Sequence, residues 1–516
     1  MKHFKKSLIP LLCAAMLLSG CSSVSDPDDE EFLPGQSGAD SSASESTETP
    51  AVLPKELALP YYPELSLDPI TCPDGVQQTV AALLCEGLFE LDEAFAPQPL
   101  LCSSYTCDPT GTVYTFSLRS GALFSDGSAL TATDVADTLR RAQSSGRYGA
   151  RLDNVTSIVA GDGAVTVTLS VPNTGFPALL DIPIVKSGTA DSIPVGTGPY
   201  SFVSGSGDGG DAALTANPNW QGGKQPVDHI VLRAAEAPDV MLFQFSSHET
   251  QLLTSDLTGS SPVSVTGSVQ FYDADSTIFQ YVGVNVASPA LSDAAVRQAL
   301  SLGIDRGQTV SAFLSGHAKA AQFPISPASE DYPGALEKTY SYDAFQQAMT
   351  AAGCASGSEV SLRMIVNEES SFKVAAARQI ASQLSAFDLK IDVRVLPWAE
   401  YTAALESGNF DLYYGEVKLT ADWDLHALLS TGGALNYGGY SDPALDGLLT
   451  ACRTSGDRSS SLLAVCRRLQ AQAPILPVCF KTVSVLVQRG TVEGLTPTAA
   501  NPFYKLAECT VHLQDG

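Results

Sequence analysis

The stretch from Val360 to Val395 constrains the fold of this 516-residue chain more than any other part of it. Val360, Leu362, Met364 and Val366 place an apolar side chain at every second position, the repeat of a strand. Val374, Ala377, Ile380, Ala381 and Leu384 then recur every three or four residues, the repeat of a helix, and Ile391, Val393 and Val395 return to alternation. Two strands joined by a single helix run parallel, and the twist of L-amino-acid strands makes the crossover right-handed. This part of the chain is therefore expected to be α/β.

Other segments read in the same way. Val113 to Leu118 alternates as a strand, and Gly121 to Gly127 is rich in turn formers. Thr131, with Asp134 three residues on, has the pattern of a capping box ahead of the apolar stripe Val135, Leu139 and Ala142. A second helical pair is expected from Ser292, with Val296, Ala299, Leu300 and Ile304 on one face, then Asp305 as a new cap with Gln308 behind it, and Gly316 as the stop. Asp343 is expected to cap a further helix ending at Gly353, and the glycine-rich run Ser204 to Asp211 reads as a surface hairpin loop.

The beginning of the chain carries a different message. Lys2, Lys5 and Lys6 precede a short apolar run from Leu8 to Leu18, too short to span a bilayer at roughly 20 residues per crossing. The run ends Leu18, Ser19, Gly20, Cys21, which resembles the bacterial lipobox, the processing signal of lipoproteins. Residues 1–20 are thus expected to be a lipoprotein signal peptide, and Cys21 the acylated first residue of the mature chain. From there to residue 56 Ser, Asp, Glu, Thr, Gly and Pro dominate, a composition that buries too little apolar surface to offset its ordering entropy and is expected to be a disordered tether. The expected location is the outer face of a bacterial cell membrane, reached through lipid on Cys21.

About 460 residues remain, more than one hydrophobic core usually serves, so at least two lobes are expected. The net charge of −27 repels nucleic acid, which is not expected as a partner. Apart from Cys13 and Cys21 there are nine cysteines, an odd number that excludes complete pairing. Cys102 and Cys107 could pair, and the others sit in apolar surroundings, where most are expected to be small buried hydrophobes. No HExxH, P-loop, dinucleotide fingerprint or GxSxG elbow occurs, and the six histidines are scattered. No catalytic residue, cofactor or metal ligand is assigned, and the chain is not expected to be an enzyme.

A series of phrases resembles the family 5 extracellular solute-binding proteins, the dipeptide- and oligopeptide-binding components of ABC importers. Ser66–Leu67–Asp68–Pro69 and Cys85–Glu86–Gly87–Leu88–Phe89 come first, followed by Phe124–Ser125–Asp126–Gly127 leading into Thr131–Ala132–Thr133–Asp134–Val135. Gly196–Thr197–Gly198–Pro199–Tyr200, Asn217–Pro218–Asn219–Trp220, Val296–Arg297–Gln298–Ala299–Leu300, Ile304–Asp305–Arg306 and Tyr440–Ser441–Asp442–Pro443 follow in the family's order. From the residues alone, Gly127 and Gly198 are turn positions, and Asp126, Asp134, Asp305 and Arg306 cap helices or form scaffold ion pairs.

The resemblance implies a two-lobed α/β fold of the periplasmic-binding-protein kind, in the class with an enlarged first lobe, closing about a hinge. Lobe I is expected over residues 57–276 plus 478–516 and lobe II over 277–477. It implies a monomer that captures a small ligand, foremost a peptide, and hands it to an ABC permease. Relatives of this fold that bind nickel chelates, haem or sugars keep those ligands open, as does a ligand-sensing lipoprotein not coupled to transport. In the family an acidic side chain pairs with the ammonium of the bound peptide, since a buried ammonium needs a counter-charge. The matching position is Asp422, in the segment Asp422, Trp423, Asp424, and Trp398 matches an aromatic of the pocket wall. Val417, Lys418 and Leu419 stand where the family usually has a tryptophan.

Overall fold

The computed structural model describes residues 53–514 except 73–74, 192, 206–210, 266, 355–356 and 358. The signal peptide, Cys21 and nearly all of the tether lie outside the described residues, as does the centre of the 204–211 loop. The strands flanking that loop, Tyr200–Val203 and Ala212–Ala216, pair antiparallel.

The strand–helix–strand unit forms as its periodicity requires. Val360–Asn367 and Leu389–Leu396 pair in parallel along all eight residues, from Val360 opposite Leu389 to Asn367 opposite Leu396, and helix Ser371–Leu384 connects them. Leu362, Met364, Ala377, Ile380 and Leu384 are buried in one core with Val282, Leu300, Phe345 and Leu476. Each of these side chains other than Ala377 contributes roughly 1.5–3 kcal/mol on leaving water. Leu412–Lys418 adds a further parallel strand beside Val360–Asn367.

Two long antiparallel strands, Val269–Val284 and Ile475–Gln488, form the spine of the molecule. Their early and late halves belong to different surroundings. The end around Val485 and Val487 packs with Leu57, Leu59, Leu214, Ile230 and the C-terminal Phe503 and Leu506, while Val282, Val284, Leu476 and Val478 enter the core of the strand–helix–strand unit. Between the two the pairing slips: Asp275 stands opposite Thr482 and Phe279 opposite Phe480, so that Ser276, Thr277 and Ile278 face Lys481 alone. This is a β-bulge, which bends and twists the ribbon locally.

A separate four-stranded antiparallel sheet, in the order Cys102–Cys107, Val113–Leu118, Ala164–Leu169, Val155–Ala160, packs helix Ala132–Gln143 on one face through Phe116, Val135, Leu139, Val165 and Val167. The helix begins with the expected capping box, the Thr131 and Asp134 side chains each binding the other's backbone amide.

Four local expectations are corrected. Cys102 and Cys107 are free thiols at opposite ends of one extended strand, roughly 16 Å apart at 3.3 Å per residue, and cannot bridge. The helix expected under Asp343 is capped by Ser341, whose hydroxyl accepts from the Ala344 amide, and Asp343 falls in its first turn. Ser292 lies before a helix that Asp293 caps. Gly198 is required by close approach and not by a turn: a Cβ there would stand 2.6–2.8 Å from the backbone of Leu83, Leu84 and Cys85, whereas Gly127 does adopt a left-handed φ of 82°.

The family phrases acquire structural work. Asp68 is buried, ion-paired with Arg141 and bonded to Thr71. Arg297 and Arg306 make no ion pair among the described residues. Arg297 donates to the carbonyls of Leu291, Ser292, Gln472 and Ala473, and Arg306 to that of Pro477, tying this helical pair to the start of the second long strand. Burial lowers the pKa of both, that of Arg306 to about 10.

Candidate functional site: a cavity at the strand bulge

The segment that follows strand Leu412–Lys418 is held down at once, the Leu419 amide donating to the Thr277 carbonyl. It then turns, with Trp423 N–H on the Thr420 carbonyl and Trp423 at a left-handed φ of 47°. That turn sends Asp422 and Trp423 inward. Asp422 is 2% exposed; its Oδ2 accepts from Asn173 Nδ2 at 2.8 Å, and its Oδ1 from the Thr420 hydroxyl at 2.5 Å. Trp423 is buried edge-on against Phe95 and Phe480, its indole N–H on Ser329. Asp424 lies between Arg453, at 2.6 Å, and His426, at 2.6 Å. Burial alone would raise its pKa, but the bonds from His426 and Arg453 outweigh burial and hold it below the usual carboxylate range.

Asp422, Trp423 and Asp424 thus gather around the loop Asn173–Gly175. The Thr174 amide donates to the Arg453 carbonyl, and a Cβ on Gly175 would meet Arg458 at 2.0 Å and Asp422 at 2.9 Å. The space left there is about 10 Å³, room for one water molecule at most. Trp398 is not part of this group. It opens helix Trp398–Ser407, 56% exposed, with its amide on Glu369 and its ring 5.9 Å from Tyr401.

The room for a ligand lies next to this contact. A cavity of about 400 Å³ opens where the two long strands bulge, and Asp275, Ser276, Thr277 and Ile278 form one side of it. Lys418, Leu419 and Ala421, from the same segment as Asp422, form another, and Phe95, Arg151, Asp181 and the loop Leu495–Ala500 complete it. Such a volume is in the range of small-molecule sites. Arg151 and Asp181 are paired at 2.5 Å; burial would lower the Arg151 pKa, but Asp181 and the Tyr148 ring system raise it. Asp273 meets His317 and the Ser484 hydroxyl, and Asp275 meets Lys319 at 2.7 Å. A second cavity of about 320 Å³ adjoins the first and shares Leu91, Asp181 and Ala500 with it. Its Glu86 and Glu90 have pKa values raised by burial; Glu86 accepts from Thr197 and Trp220, and Glu90 from Asn501.

None of the four candidate side chains lines the 400 Å³ cavity. Sequence reasoning missed Lys418, Arg151, Asp181 and the 495–500 loop. Only the stretch Val417–Leu419 left a trace, as the departure from the aromatic that the family pattern places there.

The sequence profile of the bacterial extracellular solute-binding proteins, family 5, middle region, matches residues 96–434. The chain belongs to this family. Among family relatives, the glutathione-binding protein GsiB of Pectobacterium atrosepticum is 27% identical, over 76% of this chain and 82% of its own length. Protein XP55 of Streptomyces lividans is 27% identical over 72% and 73%. In three dimensions the chain resembles the open, unliganded murein-tripeptide-binding protein MppA, with a TM-score of 0.74, 18% identity and coverage of 89% of this chain and 98% of that one. It also resembles a nickel ABC transporter protein from Bacillus halodurans, with a TM-score of 0.73, 18% identity and coverage of 87% and 98%. The fold is therefore the two-lobed α/β fold of periplasmic binding proteins, hinged between its lobes.

Proposed function

We propose that this family 5 protein captures a short peptide in the cavity at the strand bulge and delivers it to an ABC permease, from an anchor of lipid on Cys21. The observation that carries the reading is the cavity itself: about 400 Å³, walled by the bulge of the long strands, by the segment leading to Asp422 and by the 495–500 loop. We place lobe I at residues 57–276 with 478–516 and lobe II at 277–477. Both boundaries then fall inside the long strands, so opening the lobes opens the cavity. The names of a glutathione-binding relative and a murein-tripeptide-binding structural neighbour support a peptidic ligand. A nickel-transport neighbour of equal likeness keeps a metal chelate as the second reading.

In this reading Asp422 receives the ligand's ammonium once the Asn173–Gly175 loop lifts, because both of its oxygens are occupied while that loop is seated. The test is mass spectrometry of small molecules released on denaturing the soluble part from Ser22 onward. Peptides are expected, and Asp422→Ala is expected to abolish their retention; a chelate, haem or sugar in their place overturns the peptide assignment. Cys21→Ser is expected to move the full chain from the membrane fraction to the soluble fraction of its host.

A further inference from the structure

Seven charged side chains line the 400 Å³ cavity, and most are already spoken for. Asp181 holds Arg151, Asp273 meets His317 and Ser484, and Asp275 meets Lys319. Asp92 is used up in its own turn, accepting from the amides of Ala94 and Ala96 and from Gln98. Two remain that form neither hydrogen bond nor ion pair among the described residues: the acid Glu93 and the base Lys418.

Lys418 is the more telling, because its position is costly without a ligand. Its side chain is open to solvent inside the cavity, yet protein surrounds it. Burial, followed by the repulsion of Arg151 and Arg147, lowers its pKa, and the attraction of Asp181 only partly offsets this. The carboxylates of this wall other than Glu93 are held by their own partners, so a partly desolvated ammonium beside Arg151 is relieved by an anion that enters with the ligand. Its backbone is fixed, since Lys418 ends the strand paired with Val269–Val284 and stands opposite Ile278, itself in the bulge and in the cavity wall. The ammonium therefore projects from a rigid element, as an orienting group must. A ligand of a few residues ends inside a cavity of this size, and each of its charged termini needs a counter-charge there.

We infer that Lys418 takes the C-terminal carboxylate of the bound peptide, so that this cleft selects peptides whose carboxyl end is free. The assignment rests on the peptide reading above. It gives a role to the one charged residue of the stretch Val417–Leu419, which stands where the family usually has an aromatic. A flat aromatic would offer area to any side chain, whereas a lysine demands a negative charge at that point.

The probe is an equimolar mixture of tripeptides of Ala, Leu and Phe as free acids, together with the same tripeptides as C-terminal amides. The full chain, purified in detergent, is incubated with the mixture and the retained species are counted by mass spectrometry. Free acids are expected to be retained about tenfold or more over amides, the scale of one hydrogen bond between charged groups. Lys418→Gln is expected to erase this preference, Lys418→Arg to keep it, and all three proteins to melt alike. Equal retention of acids and amides, or a preference that survives Lys418→Gln, overturns the role of Lys418 and leaves the peptide reading standing. Retention of neither class overturns the peptide reading, and the assignment of Lys418 falls with it.

Discussion

Lys418 and Asp422 are four residues apart, carry opposite charges and have opposite fates. Asp422 is sealed beneath the Asn173–Gly175 loop with a donor on each oxygen, while the Lys418 side chain faces an open cavity with no bonded partner among the described residues. A buried charge that is fully hydrogen-bonded stabilises the conformation that encloses it; a charge left unpaired at a cavity wall stabilises little and is available for binding. One short segment thus divides closure from recognition.

That division can be broken deliberately. The largest effect is expected from Arg151→Met, which leaves Asp181, only 6% exposed at its side chain, without its counter-charge. A loss of about 3 kcal/mol in urea unfolding is expected. Asn173→Ala removes the donor to Asp422 Oδ2 and should cost about 1–3 kcal/mol, the penalty of a buried acceptor left unmet. If it costs nothing, the loop contact is not a closure contact.

Asp424 sharpens the comparison through pH. Its folded-state pKa is depressed, so its ionisation contributes stability that is fully present above its unfolded value, about 3.9, and is lost as pH falls towards the folded one. The stability difference between the parent chain and Asp424→Asn should therefore shrink as pH drops below about 4, read from denaturation midpoints. Lys418→Gln is expected to have the smallest effect, within about 0.5 kcal/mol, because no bond is lost and the repulsion from Arg151 and Arg147 is relieved. A large destabilisation would make Lys418 a scaffold residue.

Much of this architecture was legible in the sequence because it is local. The alternation of Val360–Val366 and the three-to-four spacing of Val374–Leu384 are properties of neighbours along the chain, and they yielded the parallel unit residue for residue. The cap at Ser341 was harder. Ser341 and Asp343 are both good caps two residues apart, and the choice depends on which start turns Phe345 and Met349 into the core. The site was least legible of all. Asp422 was marked only by its match to the family pattern, and the Asn173 that occupies it is 249 residues away. Nothing near Lys418 in sequence announces Arg151 or Asp181, and the spacing of Cys102 and Cys107 allowed a bridge until both were seen to lie on one extended strand.

The bulged pair of long strands has a mechanical meaning for how such a molecule opens. A ribbon whose strands are cross-linked by backbone hydrogen bonds resists stretching and shear but yields to torsion, and it yields most where ladder bonds are missing, at Ser276–Ile278. With the lobes divided as proposed above, the hinge would be a torsion spring with one soft coil, and the lobes would swing along a single coordinate rather than wander as two bodies on loose strings. Because the bulge is also a wall of the 400 Å³ cavity, a molecule bound there would touch the spring itself. It can set the spring's rest angle directly, with no relay through the body of either lobe.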